Sequence, residues 1–140
     1  MKLFEIKHRF SGDVLFSGRF DSLKLCIEAA VFDKANLEKA NLEGAYLQRT
    51  NFEGANLYGA YLQRTNLEEA NLEEANLRRA CLEGANFYRA NLEKANLEGA
   101  YLYGANLEEA NIKGANFKEA HNLILPVFMS EEGSGPSGLL

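Results

Sequence analysis

The sequence predicts an all-β solenoid, a stack of equal short coils, and three observations carry that prediction. From Ala30 to Glu119, Ala recurs at every fifth residue, with Thr in its place only at Thr50 and Thr65. Leu, Phe or Ile follows two residues later without a miss, from Phe32, Leu37 and Leu42 to Ile112 and Phe117. Gly44, Gly54, Gly59, Gly84, Gly99, Gly104 and Gly114 all occupy the last place of their five-residue unit. Self-similarity at a fixed period means stacked units and not one irregular core.

The composition favours a helix, since Ala, Leu, Glu, Lys and Arg dominate the repeats. The spacing forbids one. On a helix, residues two apart point to nearly opposite sides, so each Ala and its Leu would diverge. Successive Leu positions would also drift by roughly 140° and make no stripe. In extended chain the pair shares one face, with the intervening Asn on the other. The three-residue step to the next Ala restores that face only if the chain turns, and Gly at the last place suits a corner of positive φ.

The repeated unit, as in Ala35-Asn36-Leu37-Glu38-Lys39, resembles the pentapeptide-repeat family, whose consensus is Ala-(Asp/Asn)-Leu-x-x. The resemblance covers residues 30–119 and implies a right-handed quadrilateral β-helix with four units per coil. Eighteen units then make about four and a half coils. Internal shifts of 15 (Gly44 to Thr50 recurring at Gly59 to Thr65) and 55 (Asn36 to Leu47 recurring at Asn91 to Leu102) are not multiples of twenty. They reflect duplication and not coil geometry.

Residues 1–29 depart from the period and are expected to cap the first coil. Leu3 aside, Lys2 to Phe10 alternates apolar and polar residues, Ser11-Gly12-Asp13 reads as a turn, and Val14 to Phe20 as a returning strand. Asp21 or Ser22 can cap a short α-helix with Leu23, Ile27 and Ala30 on one side. A hairpin and helix would cover the apolar interior and unpaired edge of an end coil. Residues 120–130 are expected to form a C-terminal lid, since Pro126 forbids a paired central strand there. Residues 131–140 are Gly-, Ser- and Pro-bearing and read as a disordered tail.

The net charge of −5 and pI near 5.1 argue against direct nucleic-acid binding. Met1 to Phe10 lacks the apolar stretch of a signal peptide and no segment approaches a membrane span, so a cytoplasmic protein without membrane contact is expected. Cys26 and Cys81 have no metal-type spacing and read as reduced structural thiols. His8 and His121 fall in opposite ends, so no catalytic constellation, metal site or cofactor loop can be assembled. The expectation is not an enzyme.

Function must then lie on outward residues. With the four units per coil that the resemblance implies, residues twenty apart stack. Asp33, Glu53, Glu73, Glu93 and Lys113 form one column with Glu74 beside it, softened by Lys34 and Lys94. A second stacks Asn36, Asn56, Asn76, Asn96 and Asn116, an amide ladder of structural kind. A third stacks Asn41, Tyr61, Cys81 and Tyr101, with Tyr103 alongside, and exposed tyrosines on a flat sheet suit protein contact. A fourth alternates Arg49, Glu69, Arg89 and Glu109. The expected contact residues are Asp33, Glu53, Glu73, Glu93, Tyr61, Tyr101 and Tyr103.

Two functions compete. One is a non-catalytic scaffold that binds a protein partner. The other follows from the resemblance: some family members imitate B-form DNA, bind type II topoisomerases such as DNA gyrase and protect against quinolones. The repeats carry fourteen Asp and Glu against ten Lys and Arg, a balance that favours the scaffold. A homodimer through the C-terminal end is also expected, with Ile124 and Phe128 as its contacts.

Overall fold

The structure, a computed structural model, describes residues 1–126. Strands β1 (Lys2–Lys7) and β2 (Val14–Phe20) form an antiparallel hairpin, pairing Lys2 with Phe20 and Ile6 with Phe16, with an irregularity between Ile6 and Lys7. The turn between them closes on His8, whose Nδ1 accepts the N–H groups of Phe10 (3.1 Å) and Ser11 (3.2 Å). Helix α1 (Leu23–Phe32) starts at Ser22, whose hydroxyl accepts the Leu25 N–H at 3.2 Å.

Beyond the helix, residues twenty apart pair in parallel on four sides. The columns are Asn36–Asn56–Asn76–Asn96–Asn116, Asn41–Tyr61–Cys81–Tyr101–His121, Tyr46–Asn66–Asn86–Asn106 and Asn51–Asn71–Asn91–Asn111. Each coil is therefore twenty residues, four units long. Backbone bonds run between coils in both directions: Leu57 N–H to Asn76 O at 2.8 Å, and Asn76 N–H to Ala55 O at 2.9 Å. Each corner closes by the Ala N–H bonding the Leu carbonyl three residues before it, as in Ala75 to Leu72 at 3.0 Å.

The sides differ in one respect from the extended pieces that the sequence predicts. A turn in every unit leaves a single ladder residue per side, so the coils carry isolated bridges and no regular strand. The corner position has positive φ whichever residue occupies it, near 70° at Gly44 and 58° at Arg49. The turn bond and the inter-coil ladder together hold that conformation at non-glycine residues.

The core is the inward pair of each unit. Leu37, Leu47, Phe52, Leu57, Leu77, Phe87 and Phe117 are fully buried, and Ala60 to Ala100 line the corners. Thr65 replaces Ala because its hydroxyl reaches the Leu62 carbonyl at 2.7 Å. Thr50 Oγ1 is buried with no hydrogen-bond partner among the described residues, for which the fold offers no compensation.

Phe32 corrects the expected periodicity. It is 87% exposed and lies at the end of α1, because the helix runs into the first repeat unit. On a helix, residue 32 faces away from the buried Ile27 and Ala30. Asp33 is the helix C-cap, and the first parallel pair begins at Asn36, so the acidic column starts at Glu53.

The N-terminal elements dock through specific bonds. Ile6, Cys26, Ile27 and Ala30 are buried against the first coil. The end of β1 pairs antiparallel with that coil's edge: Asn41 N–H bonds Lys7 O and Arg9 N–H bonds Lys39 O, both at 2.8 Å. Glu28, held by Lys24 at 3.0 Å, accepts the Asn51 N–H at 2.8 Å and ties α1 to another side. At the C-terminal end Leu123 is buried while Ile124 is 80% exposed beside a hollow over Leu102 to Glu108. Phe128 and the tail lie outside the described residues.

Candidate protein-contact face

Three of the four sides carry Asn at the ladder position, apart from Tyr46 at the start of one. There Asn has a structural task. Its Oδ1 accepts the N–H two residues on, as at Asn91 and Glu93 (3.0 Å), which holds the corner in a local Asx turn. Its amide donates to the Asn one coil earlier, as from Asn91 to Asn71 at 3.3 Å. These groups are spent on the fold.

The fourth side departs from that rule. After Asn41 it presents Tyr61, Cys81, Tyr101 and His121 in successive coils. None of these can make the amide ladder, so the backbone bonds between coils hold this side without it. Outward-facing ladder positions then project their rings into solvent. Tyr101 is 42% exposed, and Tyr103, two residues on at the adjoining corner, is 69% exposed.

The rings are ordered along the column. His121 stacks on Tyr101 with centroids 4.5 Å apart and planes within 7°. At the other end, the hairpin turn delivers two residues to Tyr61. Phe10 meets its ring edge-on at 5.7 Å, and the Arg9 guanidinium lies 3.4 Å from its centroid. Between Tyr61 and Tyr101, over Cys81, lies a hollow of about 410 Å³ that Phe10, Lys39, Arg79 and Glu83 complete. Gly59 keeps that corner low, since a Cβ there would sit 3.2 Å from Lys39 Cγ.

The Cys81 thiol is half-buried, and burial raises its pKa above the ordinary value; Glu83 raises it further and Arg9 opposes. The group is a neutral floor at physiological pH and not a nucleophile in waiting. Among the described residues, no three His, Cys, Asp or Glu side chains converge as metal ligands would. His8 and His121 sit at opposite ends of this same side, His8 opposite Ala40 and His121 on Tyr101.

The acidic column is a separate surface. Glu53 and Glu74 border a hollow of about 520 Å³ with Glu28 and Phe32. Glu73 and Glu93 have their backbone N–H groups held by Asn71 and Asn91 and no ion-pair partner among the described residues. Elsewhere charge is neutralised between coils: Arg49 with Glu69 and Arg89 with Glu109 at 2.9 Å, Arg78 with Glu98 at 3.0 Å, and Arg64 with Glu43.

Of the residues expected to make contact, Tyr61 and Tyr101 line one hollow, Tyr103 lies at the adjoining corner outside that lining, Glu53, Glu73 and Glu93 share a different corner column, and Asp33 belongs to the helix end. Sequence reasoning missed Arg9 and Phe10, which it assigned to the hairpin, and Lys39, Arg79 and Glu83 at the flanking corners. An apolar Phe10 directly before the turn at Ser11 was the available signal. Its neighbour across fifty residues of chain was not readable.

Comparison with known proteins bears on the architecture. A family model described as pentapeptide repeats matches in overlapping segments, 28–61, 55–93 and 85–121. The chain is similar to the solved structure of the pentapeptide repeat protein Rfr23 from the cyanobacterium Cyanothece 51142. Identity is 40%, the match covers 73% of this chain and 61% of that one, and the TM-score is 0.58. It is also similar to the pentapeptide repeat protein alr5209 from Nostoc PCC 7120, at 25% identity, with 83% and 84% of the two chains covered and a TM-score of 0.51. This chain thus spans less than two thirds of the length of Rfr23. Comparison with curated proteins gives no match. Among the described residues, no helix is long and apolar enough to cross a membrane.

Proposed function

The chain belongs to the pentapeptide-repeat family, and from that premise we propose that it is a non-catalytic interaction module that binds a protein partner through its tyrosine-bearing side. Its coils wind in the family's right-handed, four-sided β-helix, a rigid bar with flat faces, and it works in the cytoplasm. One observation carries the reading: three sides retain the self-satisfying Asn ladder, and one gives it up for Tyr61, Cys81, Tyr101 and His121. Abandoning a stabilising ladder along one side only is what a contact surface requires. Tyr is also the residue type enriched where interfaces draw their energy.

Site-specific photo-crosslinking tests this. A benzophenone amino acid at Tyr103 borders the tyrosine side, and one at the exposed Glu108 borders neither edge of it. Discrete adducts from position 103 and none from 108 are expected. Equal labelling from both positions, or labelling from 108 alone, rejects the face.

The DNA-mimic reading stands second. The column of Glu53, Glu73 and Glu93 ends at Lys113, and cross-coil Arg–Glu pairs neutralise neighbouring corners, which supports a local acidic patch more than a phosphate-like track. Self-association through the C-terminal end is proposed on the exposure of Ile124. Conversion of a dimer to monomers by Ile124→Lys in light scattering would support it, and a monomeric unmodified protein would reject it.

A further inference from the structure

The tyrosine side is a stack of rings with one member missing. Coils repeat at about 4.8 Å, so ladder residues on adjacent coils are at stacking distance. Tyr101 and His121 prove the spacing in this molecule, with centroids 4.5 Å apart and nearly parallel planes. Tyr61 and Tyr101 are two coils apart, and the coil between them offers only Cys81. A thiol cannot fill the level that a ring would occupy. The outcome is the hollow of about 410 Å³ floored by Cys81 and walled by the two tyrosines.

The far faces of both tyrosines are already covered. Arg9, bonded through its N–H to Lys39 in the first coil, reaches Tyr61 from the N-terminal end, and His121 covers Tyr101 from the C-terminal end. Phe10 closes the flank of Tyr61 edge-on. The column reads cation, ring, gap, ring, ring. What remains open is the hollow over Cys81, which both tyrosines line.

A flat ring meets both tyrosines at once, whereas a branched aliphatic side chain meets each with an edge. Charge selects among flat groups. Lys39 and Arg79 line the hollow and have no carboxylate within ion-pair distance among the described residues, and Glu83 is the one acid in the lining. Two cations against one carboxylate disfavour a guanidinium there. An uncharged ring with carboxylates beside it would place those carboxylates against Lys39 and Arg79.

We infer that the Cys81 gap receives one aromatic side chain of a partner protein, carried on a segment with acidic residues on either side of it. The inference rests on the proposed contact face and names what that face recognises. The ring completes a five-membered column from Arg9 to His121, and the acidic flanks dock on the free cations at the rim.

The chain has no Trp, so a tryptophan peptide reports its own burial by fluorescence. The probe is acetyl-Gly-Asp-Trp-Glu-Gly-amide, titrated into the full chain at low salt, with acetyl-Gly-Lys-Trp-Lys-Gly-amide as the charge control. A dansyl-labelled pair, one with the same acidic core and one with Leu replacing Trp, is followed by anisotropy as the ring control. Saturable binding of the acidic Trp peptide is expected, at least tenfold tighter than either control. Cys81→Phe, which fills the gap with the chain's own ring, should weaken it at least tenfold, while Glu108→Gln, exposed on another side and outside the lining, leaves it unchanged. Thermal unfolding of both variants certifies that they fold. Arg79→Glu should weaken binding and flatten its salt dependence.

No saturable binding, equal binding of the controls, or indifference to Cys81→Phe overturns the inference. Self-association of the chain that is abolished by both Cys81→Phe and Phe32→Ala would also overturn it, since the occupant would then be the exposed Phe32 of a second copy. Face-selective crosslinks from position 103 without peptide binding reject the aromatic occupant and leave the contact face standing. Peptide binding blocked by Cys81→Phe, without face-selective crosslinks, keeps the aromatic occupant and rejects contact by the wider face beyond the gap.

Discussion

The imidazole of His121 lies flat on the ring of Tyr101, 4.5 Å away, while its backbone remains fully in the ladder, N–H to Ala100 O at 2.8 Å and carbonyl from Leu102 N–H at 2.9 Å. The stack is thus separable from the fold. His121→Ala removes the ring and keeps both backbone bonds, and should cost about 0.5–1.5 kcal/mol beyond lost area. His121→Phe should restore most of it. Chemical denaturation with both variants checks this, and equal stability of His121→Ala and the parent would show that the stack contributes nothing.

Asn91 makes three side-chain hydrogen bonds: to Asn71 Oδ1 and from Asn111 Nδ2 at 3.3 Å, and from the Glu93 N–H at 3.0 Å. Asn91→Ala leaves the partners on both neighbouring coils without their mate. A loss of about 1–3 kcal/mol is expected. Tyr61 makes no such bonds but carries the Arg9 and Phe10 contacts, so Tyr61→Asn should cost about 0.5–1.5 kcal/mol, less than Asn91→Ala, while erasing one wall of the contact hollow. A Tyr61→Asn protein that melts like Asn91→Ala would mean that the tyrosine side is structural.

Leu77 is fully buried at mid-stack, with its backbone bonded to Asn96 O at 2.7 Å. Leu77→Asp places an unpaired carboxylate between coils and should cost several kcal/mol, about 3 or more. Glu73, half-buried on the outward column, lies one coil from both Glu53 and Glu93. Glu73→Lys keeps the bonded backbone N–H and relieves like-charge repulsion, so stability should be unchanged or rise slightly. Circular dichroism melts of the pair separate inward from outward positions; matching losses would contradict the assignment.

Glu109 is held below the ordinary glutamate range, first by the hydrogen bond from Arg89 and then by that from the Tyr88 hydroxyl. Because its folded value is depressed, its stabilisation is present above the ordinary range and is lost as pH falls through the depressed value. The site is exposed, so the effect on overall stability should be small. Arg89→Ala should move the Glu109 titration upward, read by NMR of the side-chain carboxyl. A titration midpoint unchanged by Arg89→Ala would show that the pair does not persist in solution.

Much of the architecture was legible because the period is local. Ala and Leu two apart must share a face in extended chain, and the three-residue return demands a corner, so Leu77 inward and Glu73 outward follow from spacing alone. Ser22 as a helix start and Gly12 in a turn were readable for the same reason, since capping and positive φ involve only near neighbours. Phe32 was misplaced where two local rules compete: the five-residue period points it inward, and the helix that reaches it points it out. The helix prevails because Ile27 and Ala30 bury on its inner face.

Spacing by itself determined the repeat unit, the inward and outward sets and the need for an end cap. That twenty residues close one coil was implied by family resemblance and not by the period, since nothing in a five-residue unit states how far each corner bends. Only the tertiary structure decided that Arg9 and Phe10 fold down onto Tyr61, that His121 lands on Tyr101, and that Cys81 is left as a gap between rings. Those contacts join residues 20 to 52 apart in sequence, and they depend on how the coil closes and how the cap docks on it.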